Sequence, residues 1–198
     1  MDALKDLELW SSVGKFGSVF ISGGLLTAYL QHFFKKKVQK EEQKTVVKYL
    51  ALRLAFLFEG YAVECADKAG DQQLAYDSEG TAGRFIGQVP VMPPLPLEDN
   101  HKFLDHNILN DIYDFPQRCV MANQNAMFWE EVVGDRDSCT NALGINTIKM
   151  GVRAINIGNQ LRKMYNLSPR LLGYGEFDVE NFLKKELEEI RAHEEKNR

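Results

Sequence analysis

Residues 16–34 read FGSVFISGGLLTAYLQHFF, and Lys35, Lys36 and Lys37 follow at once. No Asp, Glu, Lys or Arg interrupts the stretch. A helix rises about 1.5 Å per residue, so it reaches roughly 28 Å, close to a hydrocarbon core of about 30 Å. The length predicts one membrane-spanning helix, although Gly17, Gly23, Gly24, Ser18, Ser22 and Thr27 dilute its apolar character. Trp10 and Tyr29 fall towards its ends, where amphipathic rings favour the lipid–water interface. Two other readings compete. A cleaved leader needs a basic amino end, and MDALKDLELW is slightly acidic. A core helix of a soluble bundle would also be uncharged.

The flanks orient the span. Lys35, Lys36, Lys37 and Lys40 follow it, whereas Lys5 and Lys15 are offset by Asp2, Asp6 and Glu8. Excess lysine marks the cytoplasmic side. The expectation is an extracytoplasmic tail over 1–15, a span over 16–34, a charged helical neck over 35–45 and a cytoplasmic domain over 46–198. The three lysines at 35–37 are also placed to meet anionic headgroups. Gly23 with Thr27, and Gly24 with Ala28, give the small-residue spacing that lets spans pack against one another.

The net charge of −4 gives no basic face of the kind that nucleic acid requires. Cys65, Cys119 and Cys139 are scattered, a pattern of free thiols in a reducing compartment.

From Val46, the series Val47, Leu50, Leu54, Phe58, Tyr61 and Cys65 repeats at helical spacing. Nothing between Phe34 and Val46 breaks a helix, so the span is expected to continue into this one. Residues 70–100 then collect Gly70, Gly80, Gly83 and Gly87, followed by Pro90, Pro93, Pro94 and Pro96. They predict a long connection with at most a short helix near 71–76, ending in a rigid strap held by Val91, Met92, Leu95 and Leu97. Such connections are often functional, so Pro93, Pro94 and Pro96 are candidate partner contacts. A helix is expected from Asp99 or Asn100 to Val133, kinked or broken near Asp114 by Pro116.

In residues 138–166, Gly144, Gly151 and Gly158 recur every seven residues and share one edge of a helix. Each costs about 1 kcal/mol against alanine unless something packs closely there. Two occupants fit: another subunit, or a neighbouring helix of the same domain. Asn166 is placed to end this helix. A last helix follows Asp178, with a narrow apolar stripe that fades after Ile190.

The fold class is therefore all-α, a single amino-terminal span followed by an antiparallel bundle of about four helices. The sequence presents no catalytic set, cofactor motif or metal-ligand spacing. Glu98-x-x-His101 stands alone where a di-metal bundle would need two such triplets. The one concentration of His and Asp lies near His101, Asp105 and Asp111, with Arg153 as a cationic partner for a speculative polar site between helices. Glu59 and Arg53 fall in the most apolar helix. Arg118 or Arg153 is the expected partner of Glu59 if buried, and Asp111 or Glu130 that of Arg53. The functional expectation is an anchored protein that binds a protein partner or itself, and not an enzyme. The alternatives are a membrane-associated enzyme or ligand sensor, and a soluble bundle.

Overall fold

The computed structural model describes the backbone of residues 3–96, 99–175 and 177–196, and the side chains of these except 3–31, 99–100 and 174. The chain is helical throughout its main elements: α1 (Ala3–Asp77), α2 (His106–Phe128), α3 (Arg136–Met164) and α4 (Val179–Lys196). A 3-10 turn at Asp99–Phe103, a π-helical turn at Trp129–Val133 and the two-residue strands Gly173–Tyr174 and Phe177–Asp178 complete it.

By its internal packing the chain divides into two units, Met1–Val46 and Val47–Arg198. In the first, the backbone over 16–34 is helical, and so is the neck. Lys35, Lys36 and Lys37 are exposed, and Phe33, Phe34 and Val38 are each more than half exposed. Lys44 reaches Glu41 one turn back at 2.8 Å, and the Thr45 hydroxyl donates to the Glu41 carbonyl. Among the described residues, no helix is long and apolar enough to cross a membrane. Most of the expected span, residues 16–31, has side chains outside the described set.

The second unit is the helical bundle. Cross-helix contacts fix the directions. Tyr61 and Phe58 on α1 meet Phe115 on α2 edge-on at 5.1 Å, and the Tyr61 hydroxyl lies 3.2 Å from the Cys119 sulfur. Numbers rise together, so α1 and α2 run parallel. Arg153 on α3 meets Asp111 on α2, and Asn146 donates to the Ala122 carbonyl, so α2 and α3 are antiparallel. Lys149 with Glu194, and Asn159 with Glu180, show the same for α3 and α4. The all-helical bundle is present but is not antiparallel throughout: α3 runs against its neighbours, whereas α1 and α2 run parallel, which the strap makes possible by returning along the domain.

Local chemistry explains most departures from the sequence reading. The helix expected near 71–76 is the last part of α1, because Gly70 sits in open space and costs too little to stop it. Helix α2 starts at His106 rather than Asp99, since Asp105 accepts from the Asn107 amide at 2.9 Å and caps it. Pro116 does not break α2: Phe115, fully buried between Phe58 and Tyr61, keeps the helix on its path. The break comes at the π turn and Gly134, which has φ +78°. Asn166 takes the left-handed conformation after α3, with the Leu167 amide donating back to the Arg162 carbonyl. The Asp178 carboxylate accepts from the Asn181 amide and opens α4.

The strap lies on α1 and α2. Its Pro90 carbonyl accepts from Tyr61, its Val89 amide donates to Asn123, and its Ile86 amide donates to Gln72. The buried anchors are Ile86, Val89, Pro90 and Met92; Val91, expected among them, is 70% exposed, and Leu95 is half-buried. Leu97 lies outside the described residues.

Candidate functional site

The residues expected to form a polar site do not converge. Asp111 and Arg153 meet at 3.1 Å, and Asp114 joins them at 3.5 Å. His101 is elsewhere, buried, with its Nδ1 2.5 Å from the Tyr113 hydroxyl. Asp105 is spent on capping, and its backbone amide donates to the Tyr165 hydroxyl, away from the pair. Arg153 lines an open groove of about 520 Å³ between α2, α3 and α4, with Arg118, Met121 and Leu187, but neither His101 nor Asp105 reaches it. The four are two structural pieces rather than one site.

The glycine line is filled from within the domain. A side-chain carbon on Gly151 would lie 2.8 Å from Cys65 Cβ and 2.9 Å from Leu183. At Gly144 it would strike Gln72, and at Gly158 it would press on Glu59 Cγ at 3.2 Å. The close approach that the glycines imply is real, and α1 and α4 make it. These positions leave no room for another subunit.

Gly158 accommodates a charge cluster in the interior of the domain. Glu59 is buried, and Arg162 grips it with two hydrogen bonds, Nε to Oε1 and Nη2 to Oε2 at 2.9 Å. Arg170 adds a third at 3.1 Å, and both guanidinium groups lie over the Phe56 ring. Arg162 also donates to the Ser168 carbonyl at 2.5 Å, tying down the segment after α3. Neither Arg118 nor Arg153, the partners expected from sequence, is involved. Arg162 stands at the tail of an apolar pattern and Arg170 in a loop, and nothing in either context marks a partner for α1. Arg53 is exposed beside Tyr49, so its burial is not observed.

The cysteines are equally structural. Burial pushes the Cys65, Cys119 and Cys139 thiols up from their ordinary range and keeps them neutral. Among the described residues no group of His, Cys, Asp and Glu is arranged to hold a metal ion.

What remains is the end of the bundle where α1 finishes and α2 turns into α3. There Phe128, Trp129, Val132 and Val133 are each 40–68% exposed within six residues. The π turn puts them there: it widens the last coil of α2, and the Gly134 and Asp135 amides both return to the Trp129 carbonyl. Glu130 and Glu131, in the same turn, are exposed rather than buried. Beside the turn, Glu130 helps to line a pocket of about 400 Å³ with Tyr76, Phe85, Arg136, Asp137 and Cys139. Tyr76 and Phe85, both about half exposed, form an edge-to-face corner with centroids 5.1 Å apart. Burial, and then the charge of Asp137, push the Tyr76 hydroxyl above its usual range. None of Glu130, Asp137 and Arg136 makes an ion pair among the described residues. The sequence offers Glu130 only as a possible buried partner of Arg53. It also singles out the connection after α1 for a partner surface, and Phe85 comes from there.

No family model, curated protein or solved structure matches this chain.

Proposed function

We propose that this chain is a tethered docking protein. Its helical domain binds a protein partner through the end formed by the π turn and the Tyr76–Phe85 corner, and its amino-terminal helix holds it at a membrane with the domain on the cytoplasmic side. One observation carries the docking role: four large apolar side chains exposed together at a distorted helix end. Exposed apolar residues scattered singly need no explanation, but a cluster rimmed by polar groups marks an interaction surface. Trp, Tyr and Phe are also the side chains that dominate interface energetics where they become buried. Glu59 is held by Arg162, Asp111 by Arg153, and Asp105 caps α2, so these groups serve the fold, which favours binding over chemistry. The membrane role rests on the uncharged stretch 16–34 and the lysines after it.

A photo-crosslinking residue placed at Val132, compared with one at the exposed Glu188, tests the docking role in cells. The expected result is a discrete adduct from position 132 that is lost with Trp129→Ala. The same products from both positions would remove it. Alkaline carbonate extraction tests the tether separately: the chain is expected to stay with the membrane pellet, and release into the supernatant would sink that part alone.

A further inference from the structure

We infer that the partner segment taken up at this end is basic, and that the pocket between Tyr76, Phe85, Glu130 and Asp137 receives a lysine or arginine side chain from it. The inference rests on the docking reading and specifies its chemistry.

Three observations converge. The first is charge. Asp71, Asp77, Glu79, Glu130, Glu131, Asp135 and Asp137 belong to the two segments that build this end, 71–87 and 128–137, against Arg84 and Arg136 alone. The second is shape and surface. Two aromatic rings meet edge to face at 72° on one wall, and a cation within about 6 Å of a ring centroid is attracted by the ring's face. The third is the pairing state. The pocket's two carboxylates have no cationic partner among the described residues, although Arg136 lines the same space. A neutral apolar occupant would strip water from both without replacing it. An anionic occupant would face two like charges for one opposite. A cation on a long apolar stem satisfies the rings with the stem and the carboxylates with the head. The Cys139 thiol beside Glu130 stays protonated, so it adds no charge of its own. The apolar cluster Phe128, Trp129, Val132 and Val133 then takes the neighbouring apolar side chains of the same segment. Opposite charge around such a surface sets orientation and encounter rate more than affinity, so salt will weaken the contact.

The full chain in detergent micelles is titrated with a labelled eight-residue peptide alternating leucine and lysine, and with its leucine–glutamate counterpart. The lysine peptide is expected to bind at least tenfold more tightly, and to weaken several-fold between low and physiological salt. Glu130→Gln combined with Asp137→Asn is expected to lose at least fivefold, and Phe85→Ala a similar factor, with Phe85→Trp restoring most of it. The pair Glu188→Gln and Glu189→Gln, charges on α4 that do not line this pocket, is expected to change nothing. Equal binding of the two peptides overturns the inference, as does an equal loss from the α4 pair. Unchanged thermal unfolding of each variant shows that it is folded, so a loss reads as lost binding. If the peptides are not distinguished while the adduct from position 132 persists, the cation pocket falls and docking stands. If that adduct is absent, the docking reading falls on its own evidence.

Discussion

Glu59 shows what one residue requires of its surroundings. A buried carboxylate is expensive unless paired and hydrogen-bonded, and Arg162 and Arg170 supply three bonds between them. Arg162→Met is expected to destabilise the domain by about 3 kcal/mol in urea unfolding, because the charge of Glu59 remains behind. Arg170 cannot replace the two-pronged grip. Combining it with Glu59→Leu should recover part of that loss. Asp135 works at the surface instead. The Ser138 amide, and then the Ser138 hydroxyl, hold its carboxyl below the usual aspartate range. A lowered folded-state value means stability that is present above the ordinary aspartate range and is lost as pH falls through the lowered one. Asp135→Asn should therefore flatten the acid limb of the stability curve, which a pH series of thermal melts will show. The thiols make the third case. Because burial keeps all three protonated, a thiol reagent at pH 8 should label them slowly in the folded chain and quickly in urea.

At the scale of elements, α3 is decided by its glycines. Gly151→Ala drives a methyl group against Cys65 and Leu183, and is expected to cost about 1–3 kcal/mol. Gly60→Ala makes a useful contrast. Gly60 lies on the exposed side of α1 with nothing near it, so the same change should stabilise by about 0.5–1 kcal/mol. Paired urea titrations will give the two signs. The helical pattern of each element was legible from apolar spacing: Leu50, Leu54, Phe58 and Tyr61 are all buried as that spacing requires. The ends were less so. Asp99 and Asp105 are equally good caps by residue type, and only the docking of the 3-10 turn makes Asp105 the one used. The π turn had no signal at all, since its WEEVV sequence reads as ordinary helix.

For the whole molecule, composition and periodicity were enough for an all-helical chain with a bundle after residue 46. They were also enough for the long strap, because glycine and proline act locally wherever they stand. They carried less of the candidate site. Phe85 is far in sequence from Glu130 and Asp137, and none of them is unusual by itself; the folded bundle brings them to one pocket. The polar quartet failed for the converse reason. His101, Asp105, Asp111 and Arg153 have the residue types of a site, but α2 turns Asp111 towards α3 while His101 pairs with Tyr113.

Sequence by itself determined the helices, the strap and the close approach along Gly144, Gly151 and Gly158. Each depends on local backbone preference or on a repeat visible within one segment. Tertiary structure alone decided which side chains fill that approach, which arginines hold Glu59, and which apolar residues remain outside. Those outcomes depend on contacts between segments up to 111 residues apart, as for Glu59 with Arg170, and no local pattern encodes them.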